Sequence, residues 1–157
     1  MTGSSREDVS EFVDQVEYLE TQPWSLMFLQ ETFKCLEGED FVTPAGHRIF
    51  AGVSLFRCSV VAVHRDLLHA LLWFDTKLRI PLVCLQLAAS RVLFHSDYLP
   101  QVGLEEALFL ETVEKHEDAL AKHKHEFDQQ IFGGDLNVDL DSPRDEAEAR
   151  LRDLFLD

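Results

Sequence analysis

Apolar residues in the first part of the chain recur at helical spacing. Val9, Phe12, Val13, Val16 and Leu19 return every three or four positions between 6 and 22, with acidic residues on the opposite face. The pattern predicts an amphipathic helix that Pro23 ends. The period then changes. Ser25-Leu26-Met27-Phe28-Leu29-Gln30 is an apolar run of strand length, with Glu31 at its C-terminal end. Residues 32–47, punctuated by Gly38, Pro44 and Gly46, predict a loop. Further strands are predicted at 48–54, 58–65, 79–87 and 90–97. Pro81 lacks an N–H, so the paired part of the third of these is expected to begin at Leu82.

Tyr98-Leu99-Pro100 closes the last of these strands, and Gly103 precedes a long helix predicted from 104 to about 126. Its core face is Leu104, Leu108, Phe109, Leu110, Val113 and Leu120. A strand ending in Gly133-Gly134-Asp135 follows. Ser142-Pro143-Arg144-Asp145 then supplies an N-cap, a proline at the first helical position and an acid for a closing helix carrying Ala147, Leu151, Leu154 and Phe155. The order helix, strands, helix, strand, helix is neither a strict βαβ alternation nor all-β. It predicts an α/β layered sandwich, with helices covering packed sheets.

Composition narrows the class. A length of 157 residues predicts one domain, and 46% hydrophobic residues with twelve Phe predict a packed core. The longest apolar stretches, 67–74 and 80–89, fall far short of the roughly 20 residues of a membrane span, so no membrane partner is expected. The N-terminal residues lack the apolar run of a signal peptide. Cys35, Cys58 and Cys84 are odd in number and distant from one another. They read as reduced, buried thiols of an intracellular protein, nuclear or cytoplasmic.

The formal net charge of −15 opposes simple nucleic-acid binding. Its distribution is uneven: between 34 and 91 there are seven bases against five acids, while both flanks are strongly acidic. That leaves a middle segment able to face a polyanion, or a scattered solvated surface.

Candidate chemistry falls at predicted strand ends. In Gly133-Gly134-Asp135-Leu136-Asn137, the Asp and the chain's single Asn stand two positions apart, the spacing of one face of a strand. The glycines permit close approach of another group. An Asx-type turn is the plain structural alternative. Glu31 at a strand mouth is a hard-oxygen donor suited to Mg²⁺ (or Mn²⁺). The Tyr98 hydroxyl and the Asn137 amide are donors for phosphate oxygens, and Asp135 is a candidate to orient or deprotonate water. Among the histidines, His116 and His123 are seven apart on one predicted helix and share a face, a minor case for zinc. His95 precedes Tyr98 by three residues and takes no role from sequence.

Taken in order, these segments resemble the endonuclease/exonuclease/phosphatase superfamily, of deoxyribonuclease-I-like fold. Trp24-Ser25-Leu26-Met27-Phe28-Leu29-Gln30-Glu31-Thr32 is similar to the family's metal-binding strand ending in "LQE". Arg57-Cys58-Ser59-Val60-Val61-Ala62-Val63-His64-Arg65 resembles its "RGVAI" strand, and Ser96-Asp97-Tyr98-Leu99-Pro100 its "S.YLP" segment. Gly133-Gly134-Asp135-Leu136-Asn137-Val138 is similar to "GGDFN". The match spans roughly 8–141 and looks most like endonucleases of LINE-type retrotransposons. The resemblance implies a partial four-layer α/β/β/α sandwich acting on DNA or another phosphodiester. Glu31 would ligate the metal, Tyr98 would contact the scissile phosphate, Asp135 would handle a proton or the attacking water, and Asn137 would stabilise the phosphoryl group.

Two parts of the family pattern lack a counterpart. No Asn precedes Asn137, and no His follows His125, where the family has a metal-supporting Asn and a closing Ser-Asp-His. Residues 1–157 are therefore expected to form a single incomplete domain of weak or no activity alone, completed by a missing second half or carried in a longer protein with a reverse transcriptase region. Two other readings remain open at this point: a non-catalytic acidic interaction module on the same scaffold, and a phosphatase of phosphoinositides or small phosphate esters.

Overall fold

The computed structural model describes residues 5–19, 23–98, 106–135, 149, 152 and 153. Helix α1, Arg6–Leu19, starts on a reciprocal cap. The Asp8 N–H donates to the Ser5 hydroxyl at 3.2 Å, and the Ser5 N–H donates to the Asp8 carboxylate at 3.0 Å. Glu7 and Asp8 also place negative charge at the positive end of the helix dipole. Val9 and Val13 are fully buried, but Phe12 stays 38% exposed. The face that packs is thus narrower than the apolar stripe in the sequence.

Two four-stranded sheets follow. The first contains β1 (Leu26–Leu29), β2 (Glu39–Val42), β3 (Arg48–Ala51) and β4 (Val60–Val63), antiparallel in the order β1-β4-β3-β2. The second contains β5 (Leu71–Asp75), β6 (Leu82–Leu87), β7 (Ser90–Tyr98) and β8 (Gln129–Asp135), in the order β5-β6-β7-β8. Helix α2, Glu106–His123, joins β7 to β8, and this crossover is what lets the two strands run parallel.

Strand alternation sorts the apolar residues into three clusters. Ile49, Ala51, Val60 and Ala62 pack with Val9 and Val13 of α1. Their sequence neighbours Phe50, Val61 and Val63 point the other way and meet Val83, Leu85 and Phe94 of the second sheet. Leu82, Cys84 and Leu93 turn outward again, against Phe109, Val113 and Leu120 of α2. Covering on both faces explains why β4 reads as an unbroken apolar run. Leu110, expected on the α2 core face, is exposed.

Several sequence expectations change. The predicted loop at 32–47 contains β2, an edge strand whose apolar content is too low to signal itself. It is held by polar contacts instead: Arg48 reaches Asp40 at 2.5 Å, Arg6 pairs with Glu39, and Asp14 of α1 accepts from Thr43 and from the Ala45 N–H. Strand β5 was not expected either, and follows a 3-10 helix, Arg65–Ala70, opened by the His64 side chain accepting from the Asp66 N–H. The strands predicted at 48–54 and 58–65 end earlier or start later than expected. A β-carbon at Gly52 would lie 2.3 Å from the Arg79 carbonyl oxygen, so the chain leaves β3 there to meet the 78–79 backbone. The expected start of β6 at Leu82, after Pro81, matches the structure. Of the closing helix, residues 149, 152 and 153 are helical, and the predicted cap at 142–145 lies outside the described residues.

The basic middle segment is partly neutralised within the fold. Arg48 pairs with Asp40, and Arg91 pairs with Asp128 at 3.0 Å. Among the described residues, no helix is long and apolar enough to cross a membrane.

All three cysteines are free and buried. Burial pushes the Cys58 and Cys84 thiols up to about 11. A folded-state value above the unfolded one adds stability fully present below the unfolded thiol range and lost as pH rises through the folded value. The denaturation midpoint is expected to fall between about pH 9 and pH 11, and less steeply in Cys84→Ala, which urea titrations across that window will measure. Phe50→Ala, emptying the space between the sheets, is expected to cost about 3–5 kcal/mol. Phe12→Ala on the exposed side of α1 is expected to cost about 1 kcal/mol or less in the same titrations.

Candidate functional site

The parallel register of β7 and β8 assembles the edge that carries the sequence motifs. Ser96 faces Gly133, Asp97 faces Gly134, and Tyr98 faces Asp135 across the strand pair. The backbones of Tyr98 and Asp135, separated in sequence by the whole of α2, are therefore neighbours at the strand ends. The two glycines explain how this edge closes. A β-carbon at Gly133 would sit 2.7 Å from the Phe28 ring of β1, and one at Gly134, with φ +141°, would sit 1.9 Å from the Asp97 carbonyl oxygen. The space these glycines leave is filled by protein: the Phe28 ring on one side and the β7 backbone on the other.

Strand β1 reaches the same edge from the other sheet. The Gln30 side chain donates to the Ser96 hydroxyl at 2.7 Å, and that hydroxyl donates to the Leu29 carbonyl at 3.3 Å. This ties the end of β1 to β7 two positions before Tyr98. Glu31 follows immediately, exposed, with φ +52°. The left-handed conformation is strained for a residue with a β-carbon. Of the four predicted site residues, Glu31, Tyr98 and Asp135 belong to segments that meet, and Asn137 lies outside the described residues.

Beneath this edge lies a second group of polar side chains. His95 and Asp97, two apart on β7, are fully buried. His116 of α2, also buried, packs its ring 4.9 Å from that of His95. The His95 Nδ1 lies 2.8 and 2.9 Å from the two Asp97 carboxylate oxygens, and its Nε2 lies 3.1 Å from the Gln130 amide oxygen. Phe132 stacks on the same ring at 5.5 Å. One donor atom from each of His95, Asp97 and His116 lies within 4.8 Å of the others, the makings of a metal-binding set. Burial raises the Asp97 carboxyl, with His95 acting in the opposite sense. Burial, then the neighbouring His95 charge, holds His116 well below its ordinary range, as a neutral imidazole near neutral pH.

Sequence reasoning missed this trio because His116 was matched with His123 on its own helix. His123 instead stacks on Trp73 of β5 at 4.3 Å and bonds Glu126 at 2.6 Å. The available signal was the His-x-Asp spacing inside a strand, which puts both side chains on one face.

No family model matches the chain, and no curated protein matches it. Among solved structures it is similar to that titled truncated Caenorhabditis elegans TDP2, at 12% identity and a TM-score of 0.46, over 85% of this chain and 55% of that one. The chain thus spans about half the length of that structure. A likeness this slight carries no weight for activity.

The strain at Glu31 has a measurable consequence. Glu31→Gly and Glu31→Ala both remove the carboxylate, but only glycine relaxes the left-handed backbone. Glu31→Gly is expected to be the more stable of the two by roughly 0.5–1 kcal/mol in chemical denaturation.

Proposed function

We propose that the chain is part of a divalent-metal-dependent phosphodiesterase of endonuclease type acting on DNA, built on a partial four-layer α/β/β/α sandwich of the deoxyribonuclease-I-like kind. The observation that carries the reading is the Tyr98–Asp135 register at the ends of parallel strands, with β1 tied alongside through Gln30 and Ser96. Weak activity is proposed for these 157 residues alone, since the family's supporting Asn and closing His have no counterpart among them. A second half of the domain, or a longer intracellular protein that includes a reverse transcriptase region, would supply them.

The metal proposed is Mg²⁺ or Mn²⁺. An exposed carboxylate at a strand end fits it, because Mg²⁺ keeps most of its waters and takes one or two carboxylates plus substrate phosphate. Glu31 would hold the ion, which when bound polarises a phosphoryl oxygen. Tyr98 would donate its hydroxyl to the phosphate, Asp135 would orient or deprotonate the attacking water, and Asn137 would donate its amide to the phosphoryl oxygens.

A second reading, a non-catalytic acidic interaction module, is favoured by the internal pairing of Arg48 and Arg91, which leaves fewer cations for a polyanion. Metal titration separates the two. Under the enzymatic reading Mg²⁺ or Mn²⁺ raises the melting temperature of wild type and not of Glu31→Ala. Nicking of supercoiled plasmid at high protein concentration then falls at least about 100-fold in Asp135→Asn. A wild-type chain indifferent to both ions leaves the interaction module standing. Release of phosphate from inositol phosphates without nicking would redirect the substrate to small phosphate esters.

A further inference from the structure

We propose that His95, Asp97 and His116 form a second metal site, for a transition ion of the Zn²⁺ class, buried between β7 and α2 and separate from Glu31. The donor geometry is the first argument. The three donor atoms come from two elements brought together by tertiary packing, and they already lie within 4.8 Å of one another. Bond lengths of about 2.0–2.2 Å to imidazole nitrogen and carboxylate oxygen require donor separations of roughly 3.3 Å, reached by small side-chain rotations.

Hydrogen bonding is the second. The Gln130 amide oxygen lies 3.1 Å from the His95 Nε2, and the neutral tautomer that donates from this nitrogen leaves Nδ1 with a lone pair. The Asp97 carboxylate faces this lone pair at 2.8 Å. A metal ion bound here would take the Nδ1 lone pair and a carboxylate oxygen together, in place of the hydrogen bond between them. Gln130 is then the outer partner that orients a ligating histidine.

Burial and access complete the case. A carboxylate with no exposure, whose hydrogen-bond partner is a histidine, is costly to bury, and a divalent cation would offset its charge directly. His116 also lines a cavity of about 190 Å³ with Thr112, Lys115 and Ile80, so one of the three donor residues borders open space. Two imidazoles and one carboxylate select a borderline transition ion over Mg²⁺. This site stands independently of the proposed phosphodiesterase.

Co²⁺ is the probe, because its visible absorption reports nitrogen and oxygen ligation directly. Titration of the full chain is expected to give a one-to-one cobalt spectrum that Zn²⁺ abolishes. Saturating Zn²⁺, near 100-fold above its dissociation constant, is expected to raise the melting temperature by roughly 5–10 °C. Glu31→Ala should keep the whole cobalt response, whatever becomes of its response to Mg²⁺. His116→Gln should lose it, and His95→Gln serves in its place if circular dichroism shows His116→Gln unfolded. Absence of a cobalt spectrum in wild type, or its survival in the folded histidine variant, would overturn the site.

Discussion

Parallel pairing of β7 with β8 is the contact from which the remaining functional geometry follows. It requires α2 as a crossover, so the same pairing that joins Tyr98 to Asp135 also lays His116 over His95. The pairing is tight because two adjacent residues lack β-carbons. Gly133 admits the Phe28 ring from the first sheet, and Gly134 admits the Asp97 backbone. Any side chain at either position would push β8 away from its neighbours and open the edge where the three motif-bearing segments converge.

Strand β7 buries three consecutive polar residues near its end, and their alternation fixes its register. Ser96 faces the first sheet, where it accepts from Gln30 and donates to the Leu29 carbonyl. His95 and Asp97 face α2 and satisfy each other. A slip by one residue would place the hydroxyl under the helix and the His95–Asp97 pair among the apolar side chains between the sheets, away from Gln130. The polar end of β7 therefore specifies one pairing where an apolar strand of the same length would tolerate several. The strain retained at Glu31 belongs to the same edge, and places an exposed carboxylate where the chain leaves β1.

The charge pattern has a different resolution from the one composition suggests. Two of the seven basic residues between 34 and 91 are taken up within the fold, since Arg48 and Arg91 close onto Asp40 and Asp128. Short-range pairing of this kind stabilises an edge strand and the turn before β8. It lowers the number of cations open to a polyanion.

Strong periodicity made much of the fold legible in the sequence. The stripe of α1, the unbroken apolar runs of β1 and β4, the proline-delayed start of β6 and the length of α2 all follow from local spacing and backbone chemistry. The edge strands β2 and β5 were illegible because their stability comes from neighbours: salt bridges, a hairpin turn and one covered face. Of the site, the Glu31, Tyr98 and Gly-Gly-Asp segments were marked by residue type alone, since each carries a polar group at the end of an apolar run. Their meeting, and the pairing of His116 with His95 over His123, were decided only by the tertiary structure. Separation across a helix leaves no local pattern, and which histidine faces which strand depends on how the helix rotates to bury its apolar face.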